Sequence, residues 1–167
     1  MDNYYDSIAM GYEELHKYEQ LRKIWIVKKY LKVKPTDKLL DVGCGSGLTS
    51  DFPCIVTGLD PSSKLLEKAR KMKIKTVQGR AEAIPFPDNT FDIVISITAI
   101  QNFSDIKKGL QEIRRVGKDR FALSFLKKSM KAAQIESYIR QMFSIDTRIE
   151  EDMDIIFIAK TIPSEGA

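Results

Sequence analysis

The sequence predicts a doubly wound α/β domain built on a mostly parallel sheet, and three observations carry that expectation. An apolar run, Leu39, Leu40 and Val42, empties straight into a loop containing Gly43, Gly45 and Gly47. Glycine is needed where the backbone takes positive φ or lies close to a ligand, and open α/β sheets bind nucleotide-like ligands at such strand ends. A second apolar run, Ile55–Leu59, ends in Asp60; an acid at the tip of a second strand can accept hydrogen bonds from both ribose hydroxyls. Strand-like runs then alternate with amphipathic stretches, the order that builds parallel crossovers.

Composition sets the outer bounds. At 167 residues the chain is expected to form a single domain over residues 1–162 with a full core, and 163–167 a mobile tail. Hydrophobic content of 43% and charged content of 30% match a soluble globular protein. No run reaches the roughly 18 apolar residues of a membrane span, and the opening MDNYYDS lacks the basic and apolar regions of a secretory leader. Cys44 and Cys54 show no metal-ligand spacing, and a disulfide at Cys44 would distort the glycine loop. Reduced thiols and a cytoplasmic location are therefore expected. The net charge of +4 permits an anionic partner without demanding one.

Taken in order, residues 1–33 form an N-terminal lid and covering helix. Tyr5, Ile8, Ala9 and Tyr12 have helical spacing. In Tyr18–Leu31, the positions of Leu21, Ile24, Trp25 and Leu31 turn one apolar face to the sheet, and Pro35 stops the helix. Between Gly47 and the second strand, with Pro53 inside the interval, there is room for a turn near Leu48–Phe52 but not for a crossover helix of several turns. Ser62 caps the next helix, which buries Leu65, Leu66, Ala69 and Met72 and leaves Lys64, Lys68, Arg70, Lys71 and Lys73 wet. Lys75–Gln78 is a third strand at a sheet edge. Prolines and a DN turn make 79–90 a loop, and Phe91–Ser96 is a central strand, apolar on both faces. Ser104 caps a helix burying Ile106, Leu110 and Ile113. Arg120–Leu126 is strand five, Ser129–Met142 a helix, and Ser144–Ile149 with Met153–Thr161 an antiparallel finishing pair.

The glycine spacing discriminates among adenosine ligands. A dinucleotide loop wants glycine at the sixth place for close helix packing, and Leu48 stands there. Asp41 would repel a pyrophosphate and suits an ammonium group. DVGCGSG, LDPS and GRAEAIPFPDNTFDIVIS together resemble, over residues 37–105, the class I S-adenosylmethionine-dependent methyltransferases of the UbiE-like kind. The resemblance implies a Rossmann-like, compact seven-stranded sheet with an antiparallel C-terminal strand, no substrate-domain insert, and S-adenosyl-L-methionine as cofactor.

The same resemblance implies a cofactor site of Asp41, Gly43, Cys44 and Gly45 at the loop and Asp60 and Pro61 after strand two. Arg80, Ala81 and Glu82 would surround the adenine, Ser96 and Ile97 would lie at the tip of strand four, and Tyr12 would cover the methionine end. Arg80 stands where the family commonly carries an aspartate. A guanidinium cannot accept a hydrogen bond from the adenine amino group; stacking is what it can offer, leaving the Ala81 amide and Glu82 to read the edge.

Methyl transfer needs a nucleophile held in line with a sulfonium in a dry site, so no metal is expected. Thr98, Gln101 and Asn102 are the polar groups at the mouth and form the candidate catalytic set. Many family members carry histidines at the last two places; amides orient a nucleophile but take no proton at neutral pH, and capping the following helix is the alternative role. His16 is read as an incidental lid residue. ISITAIQNF also resembles, more faintly, the guanine-N7 methyltransferases of small-subunit ribosomal RNA. With the basic stripe of the second helix and an open mouth, this favours RNA as acceptor. A small molecule of quinone or lipid type and a non-catalytic cofactor-binding subunit are the alternatives. The compact outline also suits a small activator subunit pairing with the free edge at Lys75–Gln78.

Overall fold

Apolar strands joined by crossovers lie parallel, and that rule orders the centre of the sheet. The computed structural model describes residues 2–165, apart from the side chains of 2–13 and of Ser50. Strands β1 (Lys38–Val42), β2 (Ile55–Asp60), β3 (Lys75–Gln78), β4 (Phe91–Ser96) and β5 (Gly117–Leu126) run parallel. Strand β7 (Asp154–Thr161) returns antiparallel to β5, and β6 (Phe143–Glu150) closes the far edge. The seven-stranded order is β3-β2-β1-β4-β5-β7-β6. Chain direction of build-up reverses between β1 and β4, and the crevice at that reversal is where an open α/β sheet can hold a ligand.

Helices α1 (Asp2–Leu31), α2 (Ser63–Lys71), α3 (Ile106–Val116) and α4 (Ala132–Met142) cover both faces. One core packs α3 and α4, through Leu110, Ile113, Ile135 and Ile139, on Leu40, Val94, Phe121 and Phe157. The other packs Ile24, Val27 and Leu31 of α1 and Ala69 of α2 on Leu39, Ile93, Ala122 and Ile156. Neighbouring strand residues such as Leu39 and Leu40 thus serve opposite cores, as the period-two pleat requires. No described helix is long and apolar enough to cross a membrane.

The compressed first crossover is present as a single 3-10 turn, Leu48–Asp51. Phe52 follows it into the core, and Lys28 of α1 binds Asp51 at 2.7 Å. Ser62 caps α2 through Leu65 N–H, and β3 is an edge strand.

Several details differ from the sequence reading. α1 is one unbroken helix, and it turns Leu21 and Trp25 to solvent (Trp25 is 63% exposed) while burying Lys23 and Ile26. It stops at Leu31, ahead of Pro35, with Lys32 at φ 50°. Its last carbonyls accept from Arg120, whose guanidinium also grips Asp37 at 2.7 and 2.9 Å. On α2 only Leu66 and Ala69 are buried; Leu65 and Met72 are exposed. Asp105, not Ser104, caps α3, because its carboxylate reaches Lys108 N–H at 3.0 Å. β5 starts at Gly117, three positions before Arg120, and α4 starts at Ala132 after a turn at Ser129.

Candidate active site

The tips of β1, β2 and β4 supply the site. Gly43, Gly45 and Gly47 all have left-handed φ, between 54° and 87°, a region open to glycine at little cost. At Gly43 a Cβ would lie 2.6 Å from the Ala99 Cβ, so a larger residue would force the β1 and β4 tips apart. The loop amides point into the protein. Gly43 and Cys44 N–H donate to the Leu59 carbonyl at 2.8 and 3.1 Å, Gly45 N–H to Asp60 Oδ2 at 3.0 Å, and Gly47 N–H to the Cys44 carbonyl at 3.1 Å. A phosphate cradle depends on such amides being free; these four are already used.

Two carboxylates flank the loop in different environments. Asp41 is buried, and its Oδ2 accepts from Thr49 Oγ1 at 2.7 Å. Burial pushes its pKa up to about 7; the Thr49 bond opposes the rise and the charge of Asp60 adds to it. Among the described residues this carboxylate has no cationic partner, and it would gain from one. Asp60 accepts Gly45 N–H on one oxygen and Ser62 N–H, at 2.9 Å, on the other, leaving a lone pair on each for a ligand.

Two adjoining cavities open here. One, of about 470 Å³, is lined by Asp60, Pro61, Arg80, Ala81, Glu82 and Asn102, among others. The second, of about 310 Å³, lies between the loop and α1 and includes His16, Gln20, Ile24, Asp41, Cys44 and Ile97. Gly43, Gly45, Leu65 and Thr98 line both. The acid, the loop, the post-β2 residues and the adenine-loop residues expected from sequence are therefore gathered in one cleft.

The remaining expected residues divide. Cys44 packs its Sγ close against Gly58, and burial pushes its thiol up, so the side chain is a wall. Ser96 Oγ donates to the Val42 carbonyl at 2.8 Å, wholly buried, and ties β4 to β1. The Arg80 side chain is largely exposed, 3.7 Å from Glu82, whose other oxygen accepts Asp105 N–H. Gln101 lines neither cavity; its Nε2 donates to the Thr98 carbonyl at 2.9 Å, while its Oε1 is buried with no partner among the described residues. The side chain of Tyr12 lies outside the described residues. Sequence reasoning missed Leu65, Gln20 and Ile24 as lining residues, having assigned Leu65 and Ile24 to core faces.

Residues 40–123, about half of the chain, match the family described as "Methyltransferase domain". The chain belongs to this family. The chain aligns at 35% identity over 136 residues with the demethylmenaquinone methyltransferase of Thermotoga maritima, covering 73% of this chain and 58% of that one. An uncharacterized protein of Methanocaldococcus jannaschii is 37% identical over 122 residues, 70% of this chain and 47% of that protein. The chain spans about half the length of the curated relatives it matches. Among solved structures, the PH0226 protein of Pyrococcus horikoshii has the same fold, with TM-score 0.77, 21% identity, and 90% and 92% of the two chains covered. So does a chain from the complex between the Haloferax volcanii Trm112 methyltransferase activator and a methyltransferase, with TM-score 0.73, 17% identity and 92% and 95% coverage. The chain therefore has the Rossmann-like fold of its family, whose methyl donor is S-adenosyl-L-methionine. Loop amides already bonded within the protein, a buried acid without a cation among the described residues and an acid with a lone pair left on each oxygen fit an adenosyl ligand with an ammonium group and no phosphate.

Proposed function

We propose that this methyltransferase acts on a small acceptor of the quinone or lipid type. Its alignment with menaquinone-modifying relatives across most of its length carries this reading, ahead of the RNA acceptor favoured by the basic stripe of α2. When bound, S-adenosyl-L-methionine supplies an electrophilic methyl on a sulfonium. The chain's own residues hold and orient. Asp60 accepts the ribose hydroxyls, and Pro61, Arg80, Ala81 and Glu82 enclose the base. Asp41 faces the ammonium, while the backbone of Gly43, Cys44 and Gly45 passes beneath; Ile97 walls that end and Ser96 holds the β1 tip behind it. Asn102, which lines the larger cavity, orients the acceptor, since an amide cannot take its proton; Gln101, bound to the Thr98 carbonyl and lining neither cavity, holds the loop behind it. Leu65, Ile24 and Phe103 keep the cleft apolar, which favours dispersal of the sulfonium charge.

One further observation bears on partners. The fold is shared with a chain of a complex between a methyltransferase activator and a methyltransferase, and among the described residues β3 leaves one sheet edge unpaired, with Val77 half-buried along it. An activator adding a strand at Lys75–Gln78 is compatible with that edge.

The deciding experiment supplies labelled S-adenosylmethionine with separate lipid-quinol, RNA and protein fractions. Label in the lipid fraction is expected. Label in RNA alone overturns the small-molecule acceptor, and cofactor binding without label in any fraction points to a non-catalytic subunit.

A further inference from the structure

The wall between the two cavities contains the one residue of β4's tip whose backbone is out of the ordinary. Thr98 has φ 55°, a left-handed conformation that is a true outlier for a β-branched side chain and that persists only when its surroundings over-determine it. The surroundings here are three elements far apart in sequence. Thr98 Oγ1 donates to Asp154 Oδ2 at 2.7 Å and accepts from Lys23 Nζ. Lys23 Nζ also binds Asp154 Oδ1 at 3.0 Å, and Thr98 N–H donates to Ser124 Oγ at 2.9 Å. Asp154 is 0% exposed and Lys23 4%. The hydroxyl's single proton is thus committed to Asp154, which leaves none for an acceptor.

The same lysine sits on the helix that roofs the second cavity. Gln20 and Ile24 flank Lys23 and line that cavity beside Asp41. We infer that Thr98 is a positioning residue, gripped by the buried Lys23–Asp154 pair so that one latch both sets the β4 tip and fastens α1 over the half of the cleft that takes the amino-acid end of the cofactor. This rests on the cofactor reading above and adds to it. Ile97 and Ala99 face the two cavities on either side of Thr98, and Ala99 lies where a Gly43 Cβ would be. Release of the hydroxyl lets residue 98 relax, moves the wall between the cavities and loosens the roof. The adenosine half, held by Asp60 and its amides, keeps its shape.

The test compares two probes, S-adenosylhomocysteine and 5′-methylthioadenosine, which share the adenosine but differ in the amino-acid end. Binding is measured calorimetrically to the wild type, Thr98→Val, Thr98→Ser and the paired change Lys23→Met/Asp154→Leu, the last chosen because it leaves no lone buried charge. Thermal unfolding of each variant checks folding. In Thr98→Val and the paired variant, adenosylhomocysteine affinity should fall about tenfold, the scale of a lost hydrogen bond to a charged group, with methylthioadenosine affinity changed less than about twofold. Thr98→Ser, which keeps the hydroxyl, should bind both as the wild type does. Equal losses for both probes, or no loss for either, overturn the latch. A wild type that binds neither probe overturns the cofactor reading and the latch with it.

Discussion

The two halves of the cleft are built by different means. In the adenosine half, Asp60 is fixed by Ser62 N–H and Gly45 N–H, two and fifteen positions away, on a β2 that neighbours β1 in sequence and in space. In the other half, Thr98 is fixed by Lys23, Asp154 and Ser124, across 75, 56 and 26 positions, and Lys23 meets Asp154 across 131. One half uses backbone amides that the local turn must present anyway. The other uses an ion pair taken out of water, which has to be complete to be tolerable. The first should therefore survive damage elsewhere, and the second should fail as a unit.

The largest effect follows from that difference. Lys23→Met strips the 0% exposed Asp154 of its counter-charge and leaves only the Thr98 hydroxyl on its side chain, and should lower stability to urea by about 3–5 kcal/mol. The paired change Lys23→Met/Asp154→Leu should recover most of that loss, and a single change costing under about 1 kcal/mol would erase the contrast between the halves. Next comes Asp60→Ala, which removes the acceptor common to the adenosine half. Calorimetry should show adenosylhomocysteine binding weakened by about 1–3 kcal/mol; an unchanged affinity would put the ribose elsewhere.

The smallest effect separates the acids by pH. Asp41 has a folded pKa raised to about 7 from an ordinary 3.8. The proton it retains favours the folded state below the unfolded value, and that contribution is lost as pH rises through about 7. A cationic ligand prefers the ionised form, so ligand binding has the opposite slope. Adenosylhomocysteine affinity should fall about tenfold, or about 1.4 kcal/mol, for each pH unit below 7, and Asp41→Asn should flatten the profile. A flat wild-type profile would remove Asp41 from the ammonium.

What could be read from the chain follows the same division. The glycine loop, the acid after β2, the Ser62 cap and the single-turn crossover depend on residues close in sequence, and the structure has each in its expected place. The errors came where rotation of a helix about its axis mattered. Ile24 and Trp25 are adjacent, and only the sheet beneath α1 decides that Ile24 goes in and Trp25 out. Leu65 passed for a core residue because apolar spacing does not distinguish a wall of the core from a wall of a cleft. Asp105 takes the cap one position past Ser104 because two adjacent residues can both cap, and the tertiary path of the chain puts the Asp105 carboxylate on Lys108 N–H.

By itself, then, the sequence determined an α/β sheet with a glycine loop and two acids at its strand tips, since backbone conformation and short-range hydrogen bonds require particular residue types at particular spacings. Only the tertiary structure decided that Lys23, Thr98 and Asp154 form one buried cluster. A lysine on a charged helix and an aspartate in an acidic stretch look like ordinary surface charges until folding removes water from both, and that desolvation is a property of the packed molecule, with no local trace in the chain.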